Sequence, residues 1–219
     1  HLREVEGPFG EFPKYYGPAG RRQVVEIAAV THRRNPLYHT IVPGGLEHLL
    51  LGAVPREATI LAFLQRNFAN VVDVHLSLGA TARYHLFVKL RKRLQNEAFN
   101  VISAAFASHF DVKHVVVVDD DIDVFDPTDV EWAIATRVQG DRDVMIVGNA
   151  RAKPLDPSLP QGAGIVPTGA KVGIDATIPE GIPREHYERI TYAYADRAKI
   201  DDYVGGKADA AGEAGDPQA

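Results

Sequence analysis

HVVVVDDDIDVFDPTDVEWAIATR, His114 to Arg137, is the stretch on which the fold turns. His114 to Val118 is an apolar run with no polar break, and it stops abruptly at Asp119, Asp120 and Asp121. A strand with one wet face alternates; an unbroken run is buried on both faces, as in sheets covered by helices on either side. Asp129 to Arg137 then reads as a helix, opened by Thr128 or Asp126 as its cap. A doubly buried strand running straight into a helix predicts a layered α/β domain.

Working outward, the same alternation continues. Asn96 to Phe110 is a predicted helix, with Ala98, Val101, Ile102, Ala105 and Phe106 recurring at helical spacing. Tyr84 to Leu90 and Val71 to Leu76 are predicted strands before it. Pro55 to Asn67 is a predicted helix with Pro55 near its start and Ile60, Leu61, Phe63 and Leu64 available for an inner face. Val144 to Val147 and Lys171 to Thr177 add two short strands on the other side. The expected fold is therefore α/β, a mixed or mostly parallel sheet flanked by helices, over residues 21–180.

The flanks have a different character. Residues 1–20 are rich in Gly, Pro and aromatics, the composition of a shaped loop or linker. Gln23 to Thr31 and Tyr38 to Val42 are β-branched runs of strand length. Residues 150–168 form a long loop, which in a folded domain more often serves function than not. Arg184 to Lys199 has Ile190, Tyr194 and Ala198 on one side of a helix, so residues 181–204 are expected to be helical and available for self-association. Gly205 to Ala219 holds nothing to bury and is expected to be disordered.

Composition narrows the classes. A chain of 219 residues supports one substantial core, and a net charge of −5 supplies no basic face for nucleic acid or anionic membrane. No run of about 18 apolar residues suggests a span, and no signal-peptide pattern opens the chain; a cytoplasmic protein is expected. Cysteine is absent, which removes disulfides, thiolate metal sites and cysteine nucleophiles together. The chain opens on His1 without Met, and a motif follows at once, so it reads as a fragment or a trimmed piece of a longer protein.

Three stretches could carry chemistry. In Glu6-Gly7-Pro8-Phe9-Gly10-Glu11, two carboxylates flank a rigid turn bearing an aromatic. If enclosed, one could serve as proton donor and the other as charged partner; otherwise they are two surface glutamates. Asp119-Asp120-Asp121-Ile122-Asp123 lies at the C-terminal edge of the central strand, where carboxylates can hold Mg²⁺ or Mn²⁺ as in a D-x-D transferase, or can cap loop amides. Gly162-Ala163-Gly164 through Gly169-Ala170-Lys171 could cradle a phosphate, or be an ordinary loop. The histidines show no H-E-x-x-H spacing, and His75, His85 and His114 sit inside predicted strands, a structural setting.

EGPFGE (Glu6 to Glu11), THRRNPLYHTIVPGG (Thr31 to Gly45), VVVVDDDIDVFDPTDVEWAIATR (Val115 to Arg137) and GAKVGIDAT (Gly169 to Thr177) together resemble the UbiD family of decarboxylases. The resemblance runs in order from the first residues to about Pro179. It implies reversible decarboxylation of aromatic or α,β-unsaturated carboxylic acids with prenylated FMN, the flavin being supplied by a flavin prenyltransferase, together with Mn²⁺ and K⁺. It implies that Glu11 protonates the product carbon after CO₂ leaves, that Glu6 holds a network with an arginine, and that Lys171 contacts the cofactor phosphate. It also implies dimers or hexamers. The family's catalytic arginine, its metal-binding Asn/His/Glu set and its split β-barrel precede EGPFGE, so they are expected to lie upstream of this chain, with no metal ligands in it. On this reading Asp119 to Asp123 become structural. Two alternatives stand beside it: a metal-dependent glycosyl or nucleotidyl transferase using the aspartates, and a non-catalytic assembly subunit.

Overall fold

A computed structural model of the chain describes residues 2–161, 165–193 and 199. Residues 1–182 and 183–219 form two separate units. In chain order the first contains β1 (Arg3–Glu6), β2 (Gly20–Gln23), α1 (Leu46–Gln65), β3 (Val71–Leu76), β4 (His85–Leu90), α2 (Glu97–Ser108), β5 (His114–Val118), α3 (Pro127–Arg137), β6 (Val144–Arg151) and β7 (Thr168–Ala176). Five strands make one sheet in the order β3-β4-β5-β7-β6. The three inner strands run parallel, and both edges are antiparallel. The expected mixed sheet with flanking helices is what forms.

Burial explains the valine run. Val115 and Val117 belong to one core and Val116 and Val118 to the other, so all four positions call for apolar residues. The larger core takes Leu86, Val88 and Leu90 of β4, Leu49, Ala53, Ile60 and Leu64 of α1, and Ala98, Val101, Ile102 and Ala105 of α2. The smaller core packs Val130 and Ala133 of α3 with Ile122 and Val124. Helix α3 starts as the sequence suggests, with the Asp126 carboxylate accepting from Thr128 N and Pro127 in the first turn. Gly173 of β7 lets α2 close on the sheet: a Cβ there would lie 2.2 Å from Ile102 Cγ2. Gly173→Ala is expected to cost about 1–3 kcal/mol, read from urea unfolding, because the well-packed core must shift to admit it.

The structure departs from the sequence reading in four places. Helix α1 begins at Leu46, so Pro55 lies inside it rather than near its start. A mid-helix proline costs about 3 kcal/mol; four buried residues on both sides of it, Leu49, Ala53, Ile60 and Leu64, outweigh that loss. Gln23 to Thr31 is strand only as far as Gln23, where β1 still pairs with it, and Tyr38 to Val42 forms no strand. Val25, Ile27, Val30 and Tyr38 are exposed, since β propensity without a neighbouring strand leaves the backbone unpaired. The predicted helix Arg184 to Lys199 is, in its described part, a short 3-10 turn, Arg184–Tyr187, with Ile190 and Tyr192 exposed. A helix of that length needs a face to bury to persist. The tail Gly205 to Ala219 lies outside the described residues.

Candidate active site

The EGPFGE segment forms the turn that leaves β1. Glu6 pairs with Gly20 at the end of the β1–β2 ladder, and the chain reverses through Gly7, whose φ of +87° suits glycine alone. Gly17 N then donates to Phe9 O, Glu11 N to Tyr15 O and Lys14 N to Glu11 O. These bonds fix the backbone of Glu11 while leaving its side chain free to turn. Gly17 supplies the room: a Cβ there would sit 3.2 Å from Glu11 Cγ.

Glu6 and Glu11 line the same groove, of about 750 Å³. One wall is the motif itself with Phe9, Gly17 and Pro18; the facing wall is Pro154, Leu155, Ile165 and Pro167 from the long loop before β7. Arg3, Arg21 and Arg22 make a cationic rim, with Arg22 Nε 3.9 Å from Glu6 Oε2. Glu6 is exposed and Glu11 half-buried, so the groove brings the two acids together without enclosing them. Described residues of the loop between β6 and β7, expected from the sequence to be long, thus line the groove.

The other expected site residues lie elsewhere. Lys171 does not reach this groove. It is buried on β7, donating to the carbonyls of Phe110 and Val112 with its ammonium near the Phe106 ring. Burial holds that ammonium below the usual lysine range, and two of its three donors are occupied in tying the α2–β5 connection to the sheet. In this structure Lys171, expected from the resemblance to contact a cofactor phosphate, ties backbone carbonyls away from the groove of Glu6 and Glu11. Gly162 to Gly164 of the suspected phosphate cradle lie outside the described residues.

The aspartate cluster is engaged in packing. Arg137, fully buried, donates to Asp119 Oδ2 at 3.3 Å and to both oxygens of Asp121 at 3.1 and 2.6 Å. Asp119 also accepts from Ile178 N, while burial raises its pKa. Asp123 accepts from Phe125 N, and Asp120 pairs with Arg91. Among the described residues no three His, Asp or Glu side chains converge to hold a metal ion, so the transferase alternative loses its site. The strand histidines are structural as well: His75 bonds Glu57, and the His85 and His114 rings meet edge to face at 4.5 Å. Burial, then the neighbouring His114, pushes His85 down to about 4. No described helix is long and apolar enough to cross a membrane.

Sequence reading missed the residue behind Glu11. Phe12 is buried, in contact distance of Arg83, Tyr84 and Lys153, and only its place directly after the motif could have drawn attention.

The family model of the 3-octaprenyl-4-hydroxybenzoate carboxy-lyase C-terminal domain matches residues 49–176, and that of the Rift-related domain of the same enzymes matches residues 1–46. An anhydromevalonate phosphate decarboxylase of Methanocaldococcus jannaschii is 41% identical over 84% of this chain and 43% of its own length. The UbiD-class enzyme HmfF from Pelotomaculum thermopropionicum, solved in complex with FMN, superposes with a TM-score of 0.84 and 52% identity, over 93% of this chain and 44% of that one. An evolved dimeric form of the same enzyme, in complex with prFMN, gives 0.77 and 48% over 93% and 42%. The chain spans less than half the length of these relatives.

Proposed function

We propose, since this chain belongs to the UbiD family of 3-octaprenyl-4-hydroxybenzoate carboxy-lyases, that it forms the C-terminal part of a reversible, prenylated-FMN-dependent decarboxylase of aromatic or α,β-unsaturated carboxylic acids, with Glu11 as proton donor. The observation that carries the reading is the shared groove: both acids of EGPFGE face one cleft closed on its far side by the α/β domain's own loop. Clefts of roughly 300–1,000 Å³ with apolar walls and a few placed polar groups are the usual form of ligand sites.

The residues present suit a flavin. Phe9, Pro18, Leu155, Ile165 and Pro167 offer flat apolar surface for a ring system, and Arg3, Arg21 and Arg22 offer charge for a phosphate. When bound, the cofactor supplies the electron sink that decarboxylation needs. The chain's own residues do the rest. The apolar walls hold the substrate and shed water, which strengthens the charge interactions inside. Glu11, as the carboxylic acid, gives its Oε proton to the carbon that has lost CO₂ and is left a carboxylate, to be recharged from solvent through the open mouth of the groove. Glu6 and Arg22 keep paired charge at that mouth. Among the described residues no three His, Asp or Glu side chains converge to hold the Mn²⁺ that the family resemblance implies.

The same reading includes self-association as a dimer or hexamer. The test is direct. The full-length enzyme containing this chain, produced together with a flavin prenyltransferase, is expected to release CO₂ from members of a panel of aromatic and α,β-unsaturated acids. Run in D₂O, it should place deuterium on the carbon that lost the carboxylate. A cofactor-loaded enzyme inert on the whole panel would overturn the proposal.

A further inference from the structure

We infer that Phe12 is the positioning residue for Glu11, seated in a socket of two cations and a tyrosine that registers the motif against the α/β domain. This rests on the reading of Glu11 as the acid. Along the motif exposure falls stepwise: Glu6 to Phe9 are exposed, Phe9 at 57%, Gly10 and Glu11 are half-buried, and Phe12 falls to 5%. Full burial is therefore reached one residue past the carboxylate that must be aimed.

The socket is built from two distant segments, Arg83 and Tyr84 just before β4 and Lys153 just after β6. Arg83 Cζ lies over the Phe12 ring at 5.5 Å and Lys153 Nζ over it at 5.8 Å, and the Tyr84 ring is 5.5 Å away, tilted by 52°. A cation held over an aromatic face is attracted by the ring quadrupole, the more so where water is excluded. Neither cation is loosely placed. Arg83 is buried and donates to the carbonyls of Leu49 and Ala82 at 3.0 and 2.8 Å. Its guanidinium fills the space above Gly52 of α1, where a Cβ would be 1.7 Å from Nη2. Thr81 and Ala82, which lead into it, both take positive φ, 61° and 54°. Two successive left-handed residues, neither of them glycine, persist only where the surroundings demand them.

Lys153 is fixed from the opposite direction by the buried Asp111 carboxylate, at 3.2 Å, which also holds Arg56 at 3.1 Å. The residues after Lys153, Pro154 and Leu155, are the far wall of the groove. Phe12 thus contacts the residue that carries that wall and directly follows the residue that carries the proton. Its ring couples the two sides of the groove.

The experiment compares Phe12→Leu, Phe12→Tyr and Glu11→Gln in the full-length, cofactor-loaded enzyme, with amide hydrogen exchange at Glu11 to Gly17 measured on the same variants without cofactor. Phe12→Leu keeps apolar volume and removes the ring; kcat is expected to fall by up to about 100-fold, the cost of a misplacement near 1 Å. KM and the flavin spectrum should hold, and exchange at the Glu11 amide should quicken. Phe12→Tyr, which retains the ring, should restore most of kcat and of the protection. Should Phe12→Leu fail to fold, Phe12→Met is read in the same way. Unchanged kcat and exchange in the ring-less variant would overturn the inference, as would equal losses in the leucine and tyrosine variants. If Glu11→Gln itself keeps full turnover, it is the assignment of the acid that fails.

Discussion

Glu11→Gln in the full-length, cofactor-loaded enzyme is expected to lower kcat for decarboxylation by about 10²- to 10⁴-fold, the usual worth of a placed general acid. The amide matches the carboxyl in size and cannot supply its proton. The backbone of residue 11 is held by Tyr15 O and Lys14 N, neither of which depends on the side chain, so the groove should keep its shape. Cofactor content, read from the flavin absorbance, is expected to stay at the parental level. The split between retained cofactor and lost turnover is the signature of a missing proton rather than a damaged site. Deuterium incorporation from D₂O should fall in step with kcat. Full activity in the variant would remove Glu11 from the chemistry.

Arg137→Met should produce the largest change in stability, about 3–5 kcal/mol by urea unfolding of this chain. Arg137 has no exposed side-chain surface, and it pairs with both Asp119 and Asp121. Methionine approximates the volume but leaves the Asp119 carboxylate, 3% exposed, with the Ile178 N–H and without the guanidinium. Burying a charge without its partner costs far more than the intact pair contributes. Against a typical total of about 5–15 kcal/mol, that is a large share. The pH dependence supplies a control. Burial already raises the Asp119 pKa, and loss of the arginine should raise it further. The folded variant then takes up a proton that the unfolded chain takes up only at lower pH. Its deficit relative to the parent should narrow as the solution is acidified and be widest near neutrality. A deficit independent of pH would mean that packing, not charge, is what the arginine contributes.

The α/β part was legible because its signals are local. Val115 to Val118 face two cores in alternation, and an unbroken apolar run satisfies both. The cap at Asp126, the spacing of Ala98, Val101, Ile102 and Ala105, and the acid pair of EGPFGE are likewise written within a few residues of one another. Helix α1 was half legible: Pro55 suggested a start, and only the burial of Leu49 and Ala53 upstream of it shows why the helix runs through.

What the sequence by itself determined, then, is the order of elements from Val71 to Ala176, since hydrophobic period and caps act over short range. The tertiary structure alone decided which side chains meet. It turned Lys171 toward the carbonyls of Phe110 and Val112, committed the aspartates to Arg137, and left the β-branched stretch after Gln23 without a strand to pair with. It also brought Arg83, Tyr84 and Lys153 around Phe12. Contacts of that kind join residues far apart in the chain, and no local pattern encodes them because each depends on where the whole sheet places its neighbours.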